Sequence, residues 1–148
     1  MPDPQVLTSP DQTRAAAARF LARSDLTNVI GLIGELGSGK TVFTQGLGAA
    51  LKIDTPITSP TFLLMKSYPT GGHHRFRHLV HLDLYRICGW QELIELELER
   101  LWADPAKLVV IEWADRIIEH LPDHVQVLRF SHMDGERRSI RFEEPKPT

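Results

Sequence analysis

Two kinds of apolar pattern alternate along this chain. Short unbroken runs, "NVIGLI" at 28–33 and "KLVVIEW" at 107–113, are too short and too apolar for surface helices. They predict strands buried on both faces of a parallel sheet. Between and before them the spacing turns helical. "SPDQTRAAAARFLARS" opens with Ser9 as an N-cap, Pro10 at the first helical position and Gln12 placed to close a capping box, and Ala17, Phe20 and Leu21 then share one face. "KTVFTQGLGAAL" predicts a second helix with Val42 or Phe43, Leu47, Ala50 and Leu51 inward.

The later segments mix both periods. "FLLMKSY" and "LVHLDLY" read as strands flanking "PTGGHHRFRH", a hairpin with a loose tip, and "DTPITSPT" before them reads as a loop. "GWQELIELELERLW" alternates at its centre, but its length and residue types favour one helix with Ile94, Leu98 and Leu101 as its stripe. "ADRIIEHL" predicts a short helix. "HVQVLRFSH" and "RRSIRFEE" predict a terminal hairpin turning at Asp134-Gly135, and "PKPT" a tail. Strand–loop–helix units with buried strands predict an α/β fold with antiparallel strands added, and no internal repeat or low-complexity segment interrupts it.

Composition narrows the classes. The 148 residues suit one domain, with 42% hydrophobic and 24% charged residues. A formal charge of −2 gives no basic excess, so tight, sequence-independent binding to a nucleic-acid backbone is not expected of this chain alone. The single cysteine, Cys88, excludes an internal disulfide and suits a reducing compartment. The first residues carry neither a basic nor an apolar signal region, and no apolar run approaches the ~20 residues of a membrane span. A soluble, cytoplasmic protein is expected.

The candidate chemistry sits between the first buried strand and the second helix. "GELGSGKT" at 34–41 fits G-x-x-x-x-G-K-[ST] in full. Its glycines allow successive N–H groups to point inward, and the following helix adds its positive end. Gly34, Glu35, Leu36, Gly37, Ser38, Gly39 and Val42 would cradle phosphates with their backbone, Lys40 would reach the β- and γ-phosphates, and Thr41 would ligate Mg²⁺. Such a loop needs a carboxylate at the end of a neighbouring strand. Glu112, closing "LVVIE", and Asp83, in "HLDLY", are the two candidates; either could also be a hydrogen-bonded structural acid. On the second of these strands His81, Asp83 and Tyr85 share one face.

His73, His74, His78 and His81 crowd one segment, but no cysteine accompanies them and their spacing matches no zinc pattern. His73 and His74 are expected in solvent at the hairpin tip. The glutamates between 92 and 99 read as one solvated helix face. No N-K-x-D string is present for guanine reading, and a motor ATPase would need far more chain. A small-molecule kinase would need an arginine-rich lid, for which "GGHHRFRH" offers only Arg75 and Arg77.

"GELGSGKT", "TSPTF", "HLDLYR" and "VVIEWADR" occur in this order, and together they resemble the TsaE family, small P-loop ATPases of bacterial tRNA threonylcarbamoyladenosine biosynthesis. The resemblance runs from about 7 to about 142, with "SPT" and "EW" its discriminating pieces. It implies a P-loop NTPase-like three-layer sandwich with a mixed, mainly parallel central sheet and added antiparallel hairpins. It implies binding of ATP and ADP with Mg²⁺, weak hydrolysis, and action on a TsaB–TsaD heterodimer that transfers a threonylcarbamoyl group to adenosine in the tRNA anticodon loop. By position it implies a Mg²⁺ and water shell from Thr41, Asp83 and Glu112, a γ-phosphate-sensing segment at Ser59, Pro60 and Thr61, and an aromatic at Trp113. It further implies adenine contacts from Thr8, Gln12 and Thr13, with Arg138 as a second wall. The chain is expected to be monomeric alone. It departs from the family where Glu97 stands in place of a frequent glycine, and in its basic, His-rich hairpin tip. Two other readings stay open on the residues: a P-loop small-molecule kinase with Glu112 or Asp83 as base, and a nucleotide-binding regulator that does not hydrolyse.

Overall fold

Val29, Ile30, Leu32 and Ile33 are all buried, so the strand that carries them must be covered on both faces and paired on both edges. The computed structural model, which describes residues 4–59 and 64–143, meets both conditions. Strand β2 (Val29–Gly34) lies between β5 (Lys107–Glu112) and β6 (Gln126–His132), parallel to both. Strand β4 (His78–Asp83) adds to β5, also parallel. Antiparallel strands finish the edges: β3 (Met65–Pro69) beside β4, and β7 (Arg138–Glu143) beside β6, followed by β1 (Gln5–Leu7). The order is β1-β7-β6-β2-β5-β4-β3, a seven-stranded mixed sheet with a parallel centre.

The period of two divides the strand residues between two cores. Ile30, Leu32, Leu79, Leu108, Val110 and Leu128 face helices α1 (Pro10–Leu21) and α2 (Lys40–Ala50). Phe43 meets Phe20 and Phe130 edge-on, at centroid separations of 5.9 and 5.5 Å. Gly46 lets the two helices touch, because a Cβ there would stand 2.8 Å from the Arg14 backbone and from the Ala17 Cβ. The opposite face buries Val29, Ile33, Val80, Leu82, Val109 and Ile111. Its cover is thinner: a 3₁₀ segment at Trp90–Leu96, helix α3 (Leu98–Trp102) and a second 3₁₀ segment at Ala114–His120. Helices on both faces give the three-layer sandwich expected.

Several local expectations change. The helix expected over 89–102 breaks at Glu97, whose φ of 50° is left-handed, so Leu93 and Leu98 enter the core while Ile94 is 57% exposed. "ADRIIEHL" coils as a 3₁₀ segment rather than an α-helix. In α2 it is Phe43, not Val42, that is buried. The hairpin tip is anchored rather than loose. Phe76 is fully buried, Gly71 N–H donates to Leu51 O, Arg75 reaches Leu26 O, and His73 stacks on Phe76 and accepts from the Arg75 and Phe76 amides. Strand β1, an edge strand of three residues, has no signal in the apolar pattern. The expected tail "PKPT" lies outside the described residues, as do Pro60 and Thr61.

Candidate active site

In a parallel sheet the carboxyl ends of the strands share one edge, and open α/β sheets bind their ligands there. Here that edge carries Gly34, Asp83 and Glu112. The loop after Gly34 turns through two left-handed glycines, Gly37 at φ 76° and Gly39 at φ 109°. Gly34 has no room for a side chain, since a Cβ would stand 2.6 Å from Phe130 O and 2.7 Å from Ser38 Oγ. Gly39 is the N-cap of α2, and no side chain caps that end. The first-turn amides are thus left to an outside acceptor, and the Ser38 hydroxyl is buried with no partner among the described residues.

Lys40 is buried, which is costly for an ammonium. Burial pushes its pKa down, and the nearby Glu112, Asp83 and Asp115 carboxylates oppose that shift. Its Nζ donates to Gly34 O at 2.5 Å and Glu35 O at 2.9 Å, and lies 4.2 Å from the centre of the Trp113 ring. Trp113 itself holds a left-handed φ of 60° immediately after Glu112.

The Thr41 hydroxyl donates to Glu112 Oε1 at 3.0 Å, and Ser59 Oγ lies 3.4 Å from it. The other carboxylate oxygen, Glu112 Oε2, meets His81 Nε2 at 2.5 Å. Asp83 stands beside Glu112 in register and accepts from the Tyr85 amide at 3.0 Å. Burial raises the Asp83 pKa above the ordinary carboxylate value, and the Glu112 charge adds to that; the Tyr85 amide, His81 and Lys40 act the other way. Lys40, Thr41, Ser59, Asp83 and Glu112 line a cavity of about 420 Å³, whose wall also includes Leu36, Val42, Tyr85 and Arg86. Among the described residues no three His, Cys, Asp or Glu side chains form a metal cage. Thr41, Glu112 and Asp83 could hold a hard cation only if other oxygens completed its shell.

The residues assigned to an adenine site lie outside that cavity wall. Gln12 Oε1 accepts from the Thr8 amide at 2.7 Å, one residue before the N-cap that a capping box would use. Thr13 is buried under Gly39. Arg138, opposite Leu7 in the sheet, donates to Gly37 O at 3.2 Å. Its cross-strand neighbour His132 lies 3.1 Å from Leu36 O, so the β6–β7 hairpin holds the glycine-rich loop from behind. The candidate lid is at the wrong end of the molecule. It precedes β4, one six-residue strand or roughly 20 Å from the loop, and the only arginine lining the described cavity is Arg86. Two participants went unread in the sequence: His132, and His81, whose only signal was its shared strand face with Asp83.

The family model for the threonylcarbamoyl adenosine biosynthesis protein TsaE matches residues 7–140. The chain belongs to the TsaE family. Proteins named tRNA threonylcarbamoyladenosine biosynthesis protein TsaE resemble this TsaE-family chain across most of its length. The one from a Nostoc species is 40% identical over 116 residues, 76% of this chain and 68% of its own. That from Streptomyces coelicolor is 36% identical, over 80% of this chain and 76% of its own. That from Bacillus subtilis is 32% identical, over 90% and 80%. Among solved structures, Bacillus subtilis YdiB superposes with a TM-score of 0.70 at 28% identity, covering 96% of this chain and 87% of that one. Among the described residues no helix is long and apolar enough to cross a membrane.

Proposed function

We propose that this chain is a Mg²⁺-dependent ATPase of low intrinsic activity. It serves tRNA threonylcarbamoyladenosine formation by associating with the TsaB–TsaD heterodimer according to the nucleotide it holds. The observation that carries the reading is the convergence of Lys40, Thr41, Asp83 and Glu112 on one cavity at the carboxyl edge of the sheet, beneath a helix N-terminus with no side-chain cap. Two further observations favour an anionic phosphate chain. Among the described residues the buried Lys40 ammonium has two loop carbonyls as its hydrogen-bond partners, and the buried Ser38 hydroxyl has none.

A bound Mg²⁺–ATP supplies the phosphoanhydride to be cleaved and the cation that draws charge from its oxygens. The chain contributes position and field. Gly37 and Gly39 shape the loop so that its amides and the α2 N-terminus can accept anionic oxygens. Lys40 brings a positive charge to the same place, its Nζ lying over the Trp113 ring. Thr41 and Glu112, already hydrogen-bonded, present a hydroxyl and a carboxylate oxygen on one side of the cavity. Asp83 adds a second carboxylate, and one of the two orients a water for attack. The adenine contacts proposed for Thr8, Gln12, Thr13 and Arg138 would lie behind the loop. The switch proposed for Ser59 to Thr61 has its described end at Ser59, beside Thr41.

Phosphate release measured with the heterodimer and separately with candidate metabolites tests this reading. Stimulation by the heterodimer supports it. Stimulation by a metabolite alone would make the chain a kinase, and tight nucleotide binding without release under any condition would make it a regulator.

A further inference from the structure

His81 occupies the middle of β4, opposite Val110, and is 0% exposed. An imidazole so placed loses its water and costs several kcal/mol unless its nitrogens find partners. It makes a single polar tie among the described residues, from Nε2 to Glu112 Oε2. The carboxylate oxygen is the acceptor of this pair, and Nε2–H donates. Nδ1 has no partner among the described residues, so the ring's one hydrogen bond runs through Nε2.

Glu112 is held from two sides. His81 grips Oε2, and Thr41 donates to Oε1. The two grips differ in kind. Thr41 is on the cavity wall and its hydroxyl can turn to another acceptor, while His81 is locked in the sheet and faces no solvent. Only the histidine can keep the carboxylate plane fixed while Oε1 changes partners.

We infer that His81 is a positioning residue for Glu112: through Nε2–H it fixes Oε2 and thereby aims Oε1 at Thr41 and the cavity. This rests on the proposed reading of the cavity as a Mg²⁺–ATP site, and it takes Glu112 rather than Asp83 as the principal acid there. A histidine serving packing alone would have no need of this bond, and an apolar side chain of similar volume would fill its place.

Two variants separate the roles. His81→Gln keeps an N–H donor near the position of Nε2, whereas His81→Phe keeps the bulk and removes the donor. Residues that orient such ligands typically matter ~10–100-fold. We expect His81→Phe to lose about that much kcat for ATP with KM and ADP affinity within about threefold, and His81→Gln to stay within about threefold of wild type throughout. His81→Leu makes the same comparison if the phenylalanine variant does not fold. The second readout needs no nucleotide. In protein labelled with ¹⁵N-histidine, one slowly exchanging Nε2–H should disappear in His81→Gln and shift in Glu112→Gln. A folded His81→Phe with wild-type kcat, equal losses in both His81 variants, or a ring signal indifferent to Glu112→Gln would overturn the inference. A wild-type chain that binds no ATP would instead overturn the nucleotide reading itself, with the ring signal still reporting the tie.

Discussion

Asp83 and Glu112 stand directly opposite one another at the ends of two neighbouring parallel strands. They are unequal partners. Glu112 is buried with a donor on each oxygen, and Asp83 is half-buried with one backbone donor. Two carboxylates this close cost energy unless a cation joins them.

That cost gives a pH-dependent expectation in the nucleotide-free protein. Burial raises the folded-state pKa of Asp83 above its ordinary 3.8, so the folded state binds more protons than the unfolded one between those values. Stability therefore falls as pH rises through that window. Asp83→Asn should be more stable than wild type at pH 7 in chelator, with the gain vanishing below about pH 3.8. Urea midpoints at pH 7 and pH 3 measure this; a variant less stable than wild type at pH 7 would contradict it.

Lys40→Ala should nearly abolish triphosphate binding and leave the fold intact. Charge-assisted contacts of this kind contribute ~1.5–3 kcal/mol each. The substitution also removes the cost of burying the ammonium. Calorimetric titration with Mg²⁺–ATP checks it, and unchanged affinity would remove the phosphate-loop assignment.

Gly46→Ala sets helix propensity against packing. Alanine gains up to ~1 kcal/mol inside a helix. The new Cβ would stand 2.8 Å from backbone atoms of Arg14, which cannot swing away as a side-chain tip could. Overpacking of this sort costs ~1–3 kcal/mol, so the melting temperature should fall. A rise would mean that α1 and α2 separate easily.

How legible these features were depends on how far apart their residues lie in the chain. The glycine-rich loop is eight consecutive residues, and Glu112 closes an apolar run, so both stand out in the sequence itself. The tie between His81 and Glu112 spans 31 positions and exists only because β4 and β5 pair in one register. Glu97 hid the break in the segment over 89–102, because a left-handed turn at a glutamate carries no glycine to announce it. The tip looked loose because its glycines and histidines outweigh one phenylalanine, yet Phe76 anchors it to the core. The three residues of β1 are too few to show a period.

Glu112→Gln should slow hydrolysis more than it weakens binding. The amide keeps the shape and loses the charge that orients cation and water, a change worth ~10²–10³ in rate. Steady-state kcat and KM for this variant and Asp83→Asn rank the two acids. A larger loss at Asp83, with none at Glu112, would reverse their roles.

Association with the TsaB–TsaD heterodimer, measured by light scattering after mixing in ADP and in a non-hydrolysable ATP analogue with Mg²⁺, tests the central claim most directly. We expect affinity to differ between the two nucleotides by at least about tenfold, a coupling of about 1.4 kcal/mol, and Lys40→Ala to lose the difference. Equal affinity in both nucleotides, or no association in either, would contradict a nucleotide-governed role in tRNA threonylcarbamoyladenosine formation.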